Sequence, residues 1–155
     1  MQNIIDKAYS EAVKGLNEEI LDDCDAWYNY VLKLPKAQQV VFSIILFNWQ
    51  IENGGFHQYF FNSYGQFAYL TINNLKLIEA SQRADLLDSA TYLVNEEYFI
   101  QDKFRHLIFN REFSKIVDFD DLLFNQLNEL DDKYYELEQE NIMNLLENYL
   151  NNLKE

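Results

Sequence analysis

The fold is decided by residues 51–65, which read IENGGFHQYFFNSYG and hold three of the chain's four glycines. The adjacent Gly54 and Gly55 follow a long apolar run, and glycine enters the left-handed backbone region without steric cost. Five aromatic side chains come next, and they are too apolar for a solvated loop. They are Phe56, Tyr59, Phe60, Phe61 and Tyr64. We therefore predict that one buried element ends at Glu52 or Asn53 and that another begins directly after the turn.

The element before this turn is predicted to be a helix, although Asn53-Gly54 is also a hairpin signal. Pro35 is suited to the first turn of a helix, because its fixed φ is helical and its missing N–H is not needed there. Residues 35–52 make a run of about 18 residues, whereas a strand usually has about 3–10. Both observations favour a helix over residues 35–52.

The aromatic residues after the turn also repeat with the period of a helix. Phe56, Phe60 and Tyr64 recur every four positions, whereas the side chains on one face of a strand recur every two. We therefore expect a short helix over residues 56–63 that is stopped at Gly65.

The remaining segments are predicted to be helical as well. One proline and four glycines in 155 residues leave few breaks for many short strands, and apolar residues recur at three- and four-residue spacing. The predicted helical segments are residues 4–15, 17–34, 66–80, 81–95 and 102–110, with residues 119–153 as one helix or two. The sequence thus predicts an all-α fold, a single compact multi-helix domain over residues 1–155 in which the helices of residues 1–34 pack on the rest.

The charge balance restricts the class of partner. The chain has 26 acidic and 12 basic side chains and a net charge of −14. DNA, RNA and anionic membranes repel such a chain, so we expect no direct nucleic-acid binding and no membrane partner. A charged macromolecular partner should be a basic protein.

The sequence gives no indication of export or membrane insertion. Cys24 is the single cysteine and cannot form an internal disulfide. The first residues, MQNIIDKAYSEAVK, lack the basic and apolar segments of a signal peptide. The longest apolar run, residues 40–47, is far shorter than the ~20 residues of a spanning helix. We therefore expect a cytoplasmic protein.

Two segments concentrate the negative charge. Residues 118–137 carry seven acidic side chains and one lysine, a net charge of −6. As a helix they would span ~30 Å with one net charge per ~5 Å, whereas a single DNA strand has one per ~3.4 Å. The second segment holds the five carboxylates of Glu18, Glu19, Asp22, Asp23 and Asp25. Both segments also fit the solvated faces of ordinary helices, and imitation of a duplex requires dimerisation or a close approach of the two segments.

The sequence has few of the residue patterns that are typical of active sites or metal sites. The two histidines, His57 and His106, lack the spacing of metal sites on helices. Cys24 lies among acidic residues, which raise the pKa of a thiol and weaken it as a nucleophile. The sequence contains no phosphate-binding loop and no calcium-loop pattern. We expect no catalytic residue, no metal and no cofactor, and so a protein that is not an enzyme.

Four polar residues stand among the aromatic residues of the turn segment and have two interpretations. They are Glu52, Asn53, Gln58 and Asn62. In the first interpretation, their side chains satisfy the backbone N–H and C=O groups at the helix ends around the double glycine, and His57 is hydrogen-bonded within the fold. In the second, they form a small polar pocket that His57 faces together with Glu52. We favour the first interpretation, because buried helix-end groups need hydrogen-bond partners.

The same segment carries a resemblance to a known family. Residues 52–60 read ENGGFHQYF and are followed by Asn62 and Gly65. This pattern resembles the signature of a bacterial domain-of-unknown-function family whose named prototype is a DNA-mimic protein. A second similarity to that family lies in residues 130–135, LDDKYY, and in the helical segment of residues 145–150.

The similar region spans roughly residues 35–153, and the resemblance implies an all-helical domain that forms a homodimer. For the prototype, the resemblance implies a role in occupying the DNA-binding surface of a transcriptional regulator. We assign a structural role to the residues of the family motif, which are Glu52, Asn53, Gly54, Gly55, Phe56, Gln58, Tyr59 and Asn62.

Our main hypothesis is an acidic, DNA-mimic-like protein that occupies the basic surface of a DNA-binding or regulatory protein. Its predicted partner-binding residues are Glu18, Glu19, Asp22, Asp23, Asp25, Asp120, Asp121, Glu129, Asp131, Asp132 and Glu136. Two alternatives stay open. One is a small-ligand-binding or hydrolase domain with a polar pocket at Glu52, His57, Gln58 and Asn62. The other is an immunity-type inhibitor of a basic toxin.

Overall fold

The helices surround one long central helix. The structure is a computed structural model that describes residues 3–153, so residues 1, 2, 154 and 155 of the predicted domain lie outside the described residues. Residues 3–153 form helices and no strand, which confirms the predicted all-α fold class. The α-helices are α1 (Ile4–Val13), α2 (Glu18–Leu21), α3 (Cys24–Lys33), α4 (Lys36–Phe61), α5 (Ala68–Leu77), α6 (Ser81–Val94), α7 (Gln101–Phe109), α8 (Ser114–Val117), α9 (Asp121–Tyr135) and α10 (Ile142–Asn152), and a 3₁₀ turn (Ser63–Phe67) joins α4 to α5.

The central helix is α4, because it is apolar on every side. Residues 40–48 are all buried, and a helix with this pattern must be surrounded by other elements. α1, α5 and α9 pack against it. Phe47 of α4 contacts the Tyr134 ring of α9, with the ring centroids 5.7 Å apart. Although α4 has 26 residues, no helix within residues 3–153 is both long and apolar enough to cross a membrane.

A second, smaller hydrophobic cluster joins the N-terminal helices to α4. Trp27 and Val31 of α3 belong to this cluster together with Phe42 of α4 and Phe67 of the 3₁₀ turn. The rings of Trp27 and Phe67 meet edge to face, with their centroids 5.3 Å apart. α3 is therefore attached to the smaller cluster, whereas α9 contributes to the larger one.

The predicted helix over residues 17–34 is two helices in the structure. Asn17 caps α2, as predicted, by accepting the Ile20 N–H at 2.9 Å. Asp23 then begins α3 by accepting the Ala26 N–H at 2.7 Å. The prediction was wrong because a second residue with a strong capping preference lies inside the segment.

The double glycine breaks α4, but later than predicted. We expected the first helix to end at Glu52 or Asn53, whereas the non-helical residue is Gly55, with φ 79° and ψ −172°. The short helix predicted over residues 56–63 is the second half of α4 and ends at Phe61.

The C-terminal region forms two helices, which settles the alternative left open by the sequence. α9 ends at Tyr135, and Asn141 caps α10 by accepting the Asn144 N–H at 2.9 Å. The short helix α8 was not predicted.

Candidate functional site

The double-glycine turn is the point at which α9 docks on α4. Gly55 interrupts the helix, so the backbone N–H of Phe56 needs an acceptor from elsewhere. Asp131 of α9 accepts this N–H through Oδ1 at 2.7 Å. A Cβ atom at Gly55 would lie 2.2 Å from Asp131 Oδ2, so only glycine leaves room for the carboxylate. Asp131 therefore caps the second half of α4.

Two tyrosines of α9 continue this interface. Tyr135 donates its O–H to the carbonyl oxygen of Ile51 at 2.6 Å. Tyr134 donates its O–H to Asn48 Oδ1. The two sequence segments that carry the resemblance, one in α4 and one in α9, therefore meet in a single interface.

The burial of Asp131 contradicts the prediction that this residue binds a partner. Its relative exposure is 7%, and this burial raises the pKa of its carboxyl above the ordinary value of 3.8, while the hydrogen bond from Phe56 opposes the shift. Asp131 follows Leu127 by four positions and precedes Tyr134 by three, so it lies on the buried side of α9. It is a structural residue and does not belong to an exposed acidic face.

The exposed carboxylates of α9 and of Glu136, the residue that follows its last turn, form a row opposite the buried side of the helix. At about 100° per residue, their positions fall within an arc of about 80°, and the row is about 22 Å long. We call this set the acidic row, and it consists of Asp121, Glu129, Asp132 and Glu136.

No carboxylate of the acidic row takes part in an ion pair with another of the described residues. Lys133 is the single basic residue of α9, and it stands four positions after Glu129 without pairing with it. Asp120, which we also predicted to bind a partner, is half-buried and caps α9 by accepting the Leu123 N–H at 3.0 Å. Within residues 3–153, the acidic row is thus a set of carboxylates without a paired cation.

The N-terminal acidic segment is divided between exposed and internally used carboxylates. Glu18, Glu19 and Asp22 are exposed. Asp23 is exposed as well, but its side chain caps α3. Three of the five predicted residues in this segment are therefore free of a structural contact among the described residues.

Asp25 is the residue of this segment that the fold neutralises. Its Oδ1 lies 3.0 Å from Arg105 Nη2 and 3.0 Å from His106 Nε2. The hydrogen bond from Arg105 is the main cause that lowers the pKa of Asp25. The prediction that Asp25 offers its charge to a partner is therefore corrected.

The helices that carry the two acidic segments make their main contacts with different elements. α3 packs against α7 and the 3₁₀ turn, whereas α9 packs against α4, α6 and α8. Within residues 3–153, one copy of the chain does not pack the two segments side by side.

Two residues near the start of α3 and one residue of α7 form a group of three potential metal ligands. Within residues 3–153, one ligand atom each from Cys24, Asp25 and His106 lie within 4.8 Å of one another. Arg105 Nη1 is only 3.6 Å from Cys24 Sγ, and burial raises the pKa of this thiol to about 11. A metal ion would have to displace the Arg105 guanidinium and deprotonate the thiol, so the group fits an ion-pair network better than a metal centre.

His57 is enclosed by aromatic rings. It is buried, and its Nε2 lies 3.0 Å from the carbonyl oxygen of Ile116, to which it donates. Its ring stacks on Phe119 with a centroid distance of 4.3 Å. Burial lowers the pKa of His57, which favours the neutral ring. This geometry agrees with the structural interpretation of His57.

The other polar residues of the motif do not meet His57 in one pocket. Glu52 is exposed and accepts a hydrogen bond from Asn48 Nδ2 at 3.2 Å. Gln58 Nε2 and Asn62 Nδ2 both donate to Gln50 Oε1, at 3.2 and 2.8 Å. The alternative of a single pocket formed by these four residues was therefore wrong. The expectation that Gln58 and Asn62 bind backbone groups was wrong as well, because both bind the Gln50 side chain.

A different cavity, of about 490 Å³, opens beside the first half of α4, before the Gly55 break. Tyr9 and Trp27 of the N-terminal helices contribute to its wall, together with Gln50, Asn62 and Arg111. Sequence reasoning missed Gln50 and Arg111, which lie 61 positions apart. No periodicity connects two such distant residues, and only the folded chain places them at one cavity.

Comparison with known proteins identifies one family. Residues 32–153 match the model of a family described as DMP19-like protein. The matched region contains α4 to α10 and therefore both sides of the α4–α9 interface. No curated protein and no solved structure matches the chain.

Proposed function

Since the chain belongs to the DMP19-like protein family, we propose that it binds a basic protein and that its acidic row occupies the surface with which that protein contacts DNA. One observation carries the proposal: the row consists of exposed carboxylates on one side of one helix, without ion pairs to other described residues. DNA-binding surfaces are arranged to contact a line of phosphates, and a line of carboxylates is complementary to the same cations.

One acidic row is less densely charged than DNA. Four carboxylates over about 22 Å have a mean spacing of about 7.5 Å, against about 3.4 Å along one DNA strand. We therefore include a homodimer in the proposal, because a two-fold axis supplies a second row. Glu18, Glu19 and Asp22 add negative charge elsewhere on the surface, which favours long-range attraction of a basic partner.

The proposed activity is binding, with no catalytic step, in the cytoplasm where a DNA-binding partner acts. An immunity-type inhibitor of a basic toxin would use the same acidic row. The identity of the captured protein separates these two functions, since the first predicts a regulator or another DNA-binding protein and the second a toxin.

Charge reversal in the acidic row tests this proposal. We expect Glu129→Lys/Asp132→Lys/Glu136→Lys to weaken capture of a basic protein from a lysate of the native host by about 100-fold or more, because each attraction becomes a repulsion. Capture by the unaltered chain should fall steeply as salt is raised. The measurement is the amount of bound partner across a salt series, with the helical circular dichroism spectrum recorded for each variant.

A variant with the same change in net charge serves as the control. Glu18→Lys/Glu19→Lys/Asp22→Lys adds the same three positive charges outside the acidic row and should reduce capture much less. Equal loss in the two variants would show that only the overall charge matters. Unchanged capture by the variant altered in the acidic row would rule that surface out.

A further inference from the structure

The cavity beside the first half of α4 has the size of a small-molecule site. Its volume is about 490 Å³, and ligand pockets commonly have about 300–1,000 Å³ with mainly apolar walls and a few polar groups. Tyr9 and Trp27 lie outside the matched residues 32–153, so the family match does not account for this cavity.

One side of the cavity is built from aromatic rings that hold one another in place. Tyr9 stacks on Phe42 with a centroid distance of 6.3 Å. Trp27 meets Tyr64 edge to face at 5.7 Å. All four residues line the cavity, and fixed rings of this kind favour a flat apolar ligand.

The polar side of the cavity offers hydrogen-bond donors. Gln50 lines the cavity, and its Oε1 already accepts hydrogen bonds from Gln58 and Asn62. Its carbonyl is therefore engaged, and the amide NH₂ is the group that Gln50 offers to a ligand.

Among the described residues that line the cavity, Arg111 is the single charged one. Its guanidinium carbon lies 5.0 Å from the centre of the Phe61 ring, and it makes no ion pair with another described residue. Its backbone is fixed at the end of α7, where the Arg111 N–H donates to the Ile108 carbonyl at 3.1 Å. A chain with net charge −14 thus presents an unneutralised cation beside an aromatic wall.

We propose that this cavity binds a small aromatic carboxylate. The ring system of the ligand lies against Tyr9, Trp27 and Tyr64, and the carboxylate accepts hydrogen bonds from Arg111 and Gln50. The planar guanidinium matches a carboxylate with two parallel hydrogen bonds, and one arginine balances the single charge of such a ligand. This site uses no residue of the acidic row, and it is independent of the proposed function.

The test compares an acid with its uncharged analogue. The purified full chain is titrated by calorimetry with naphthalene-2-acetate and with naphthalene-2-acetamide, which differ in charge but share the ring system. We expect one saturable site that prefers the acid by about threefold to fivefold, the size of a partly exposed charged contact. Arg111→Gln should remove this preference and leave the acid and the amide with equal affinity.

Lys103→Gln is the matched control, because it removes one cation that packs on the Phe99 ring and lies outside this cavity wall. It should keep the preference for the acid.

Ser63→Trp, which fills the cavity from its wall, should abolish binding of both probes. The proposal is overturned if the acid and the amide bind equally to the unaltered chain, if Arg111→Gln keeps the preference, or if neither probe saturates a site at millimolar concentration.

Discussion

Asp131 and Asp132 are neighbours in the sequence but lie in opposite environments. Asp131 is buried and accepts the N–H of Phe56, whereas Asp132 is exposed in the acidic row. Adjacent positions on a helix are about 100° apart, so the sum of charges over a segment cannot tell which carboxylate faces solvent. The positions of Leu127 and Tyr134 relative to Asp131 do contain that information.

We predict different costs for two substitutions of Asp131. Asp131→Ala leaves the Phe56 N–H buried without an acceptor, and it should lower the free energy of unfolding by about 2 kcal/mol. Asp131→Asn keeps an acceptor oxygen and should cost less. Asp132→Asn, the exposed neighbour, should change stability by less than about 0.5 kcal/mol. Urea denaturation of the three variants measures these differences, and equal stability of all three would contradict the capping role.

The pH dependence of stability follows from the burial of Asp131. Because its pKa is raised above 3.8 in the folded chain, folding favours the protonated carboxyl. The part of its contribution to stability that depends on protonation is therefore fully present below pH 3.8 and is lost as the pH rises through the raised pKa, whereas the hydrogen bond to Phe56 stays. We expect the unaltered chain to lose stability relative to Asp131→Asn as the pH rises from 3.8, and a difference that does not vary with pH would contradict this account.

The docking of α9 on α4 depends on the break in α4 as much as on Asp131. Gly55 adopts φ 79° and ψ −172°, a region that is practically restricted to glycine. The break exposes the N–H that Asp131 accepts, and the missing Cβ leaves space for the carboxylate. One glycine thus provides both the conformation and the room for the interface.

Gly55→Ala should therefore be among the most costly single substitutions in α4. We expect a loss of about 3 kcal/mol, from backbone strain and from displacement of the Asp131 carboxylate. In an Asp131→Ala background the same substitution should cost less, because the clash is gone while the strain stays. A double-mutant cycle measured by denaturation gives this coupling, and additive effects would show that the two residues do not interact.

The sequence predicted the helical class and most of the helices, but it missed the division of residues 17–34 into α2 and α3, the helix α8 and the contacts between helices. The glycine pair and the four-residue spacing of Phe56, Phe60 and Tyr64 predicted a helix, a turn and a second short helix, which the structure joins into α4 with a break at Gly55. Local patterns could not show that Asp131 reaches Phe56, since 75 positions separate them. They could not show that Arg105 neutralises Asp25 either, because that contact depends on how α7 packs against α3.

In the whole molecule, the acidic row and the cavity lie on different hydrophobic clusters. The acidic row lies on α9, which belongs to the larger hydrophobic cluster, whereas Trp27 and Phe42 of the cavity wall belong to the smaller one. Each region can therefore be altered without a direct change in the other. A charged partner and a small ligand can then be tested in one molecule as independent events.

The central claim is that the acidic row takes the place of DNA on a basic partner. Its most direct test is a sedimentation velocity experiment on a mixture of this chain, its captured partner and a labelled DNA duplex that the partner binds. The account predicts a complex of two copies of the chain with the partner and no DNA, and release of the duplex as more of the chain is added. A duplex that sediments together with both proteins at saturation would contradict it.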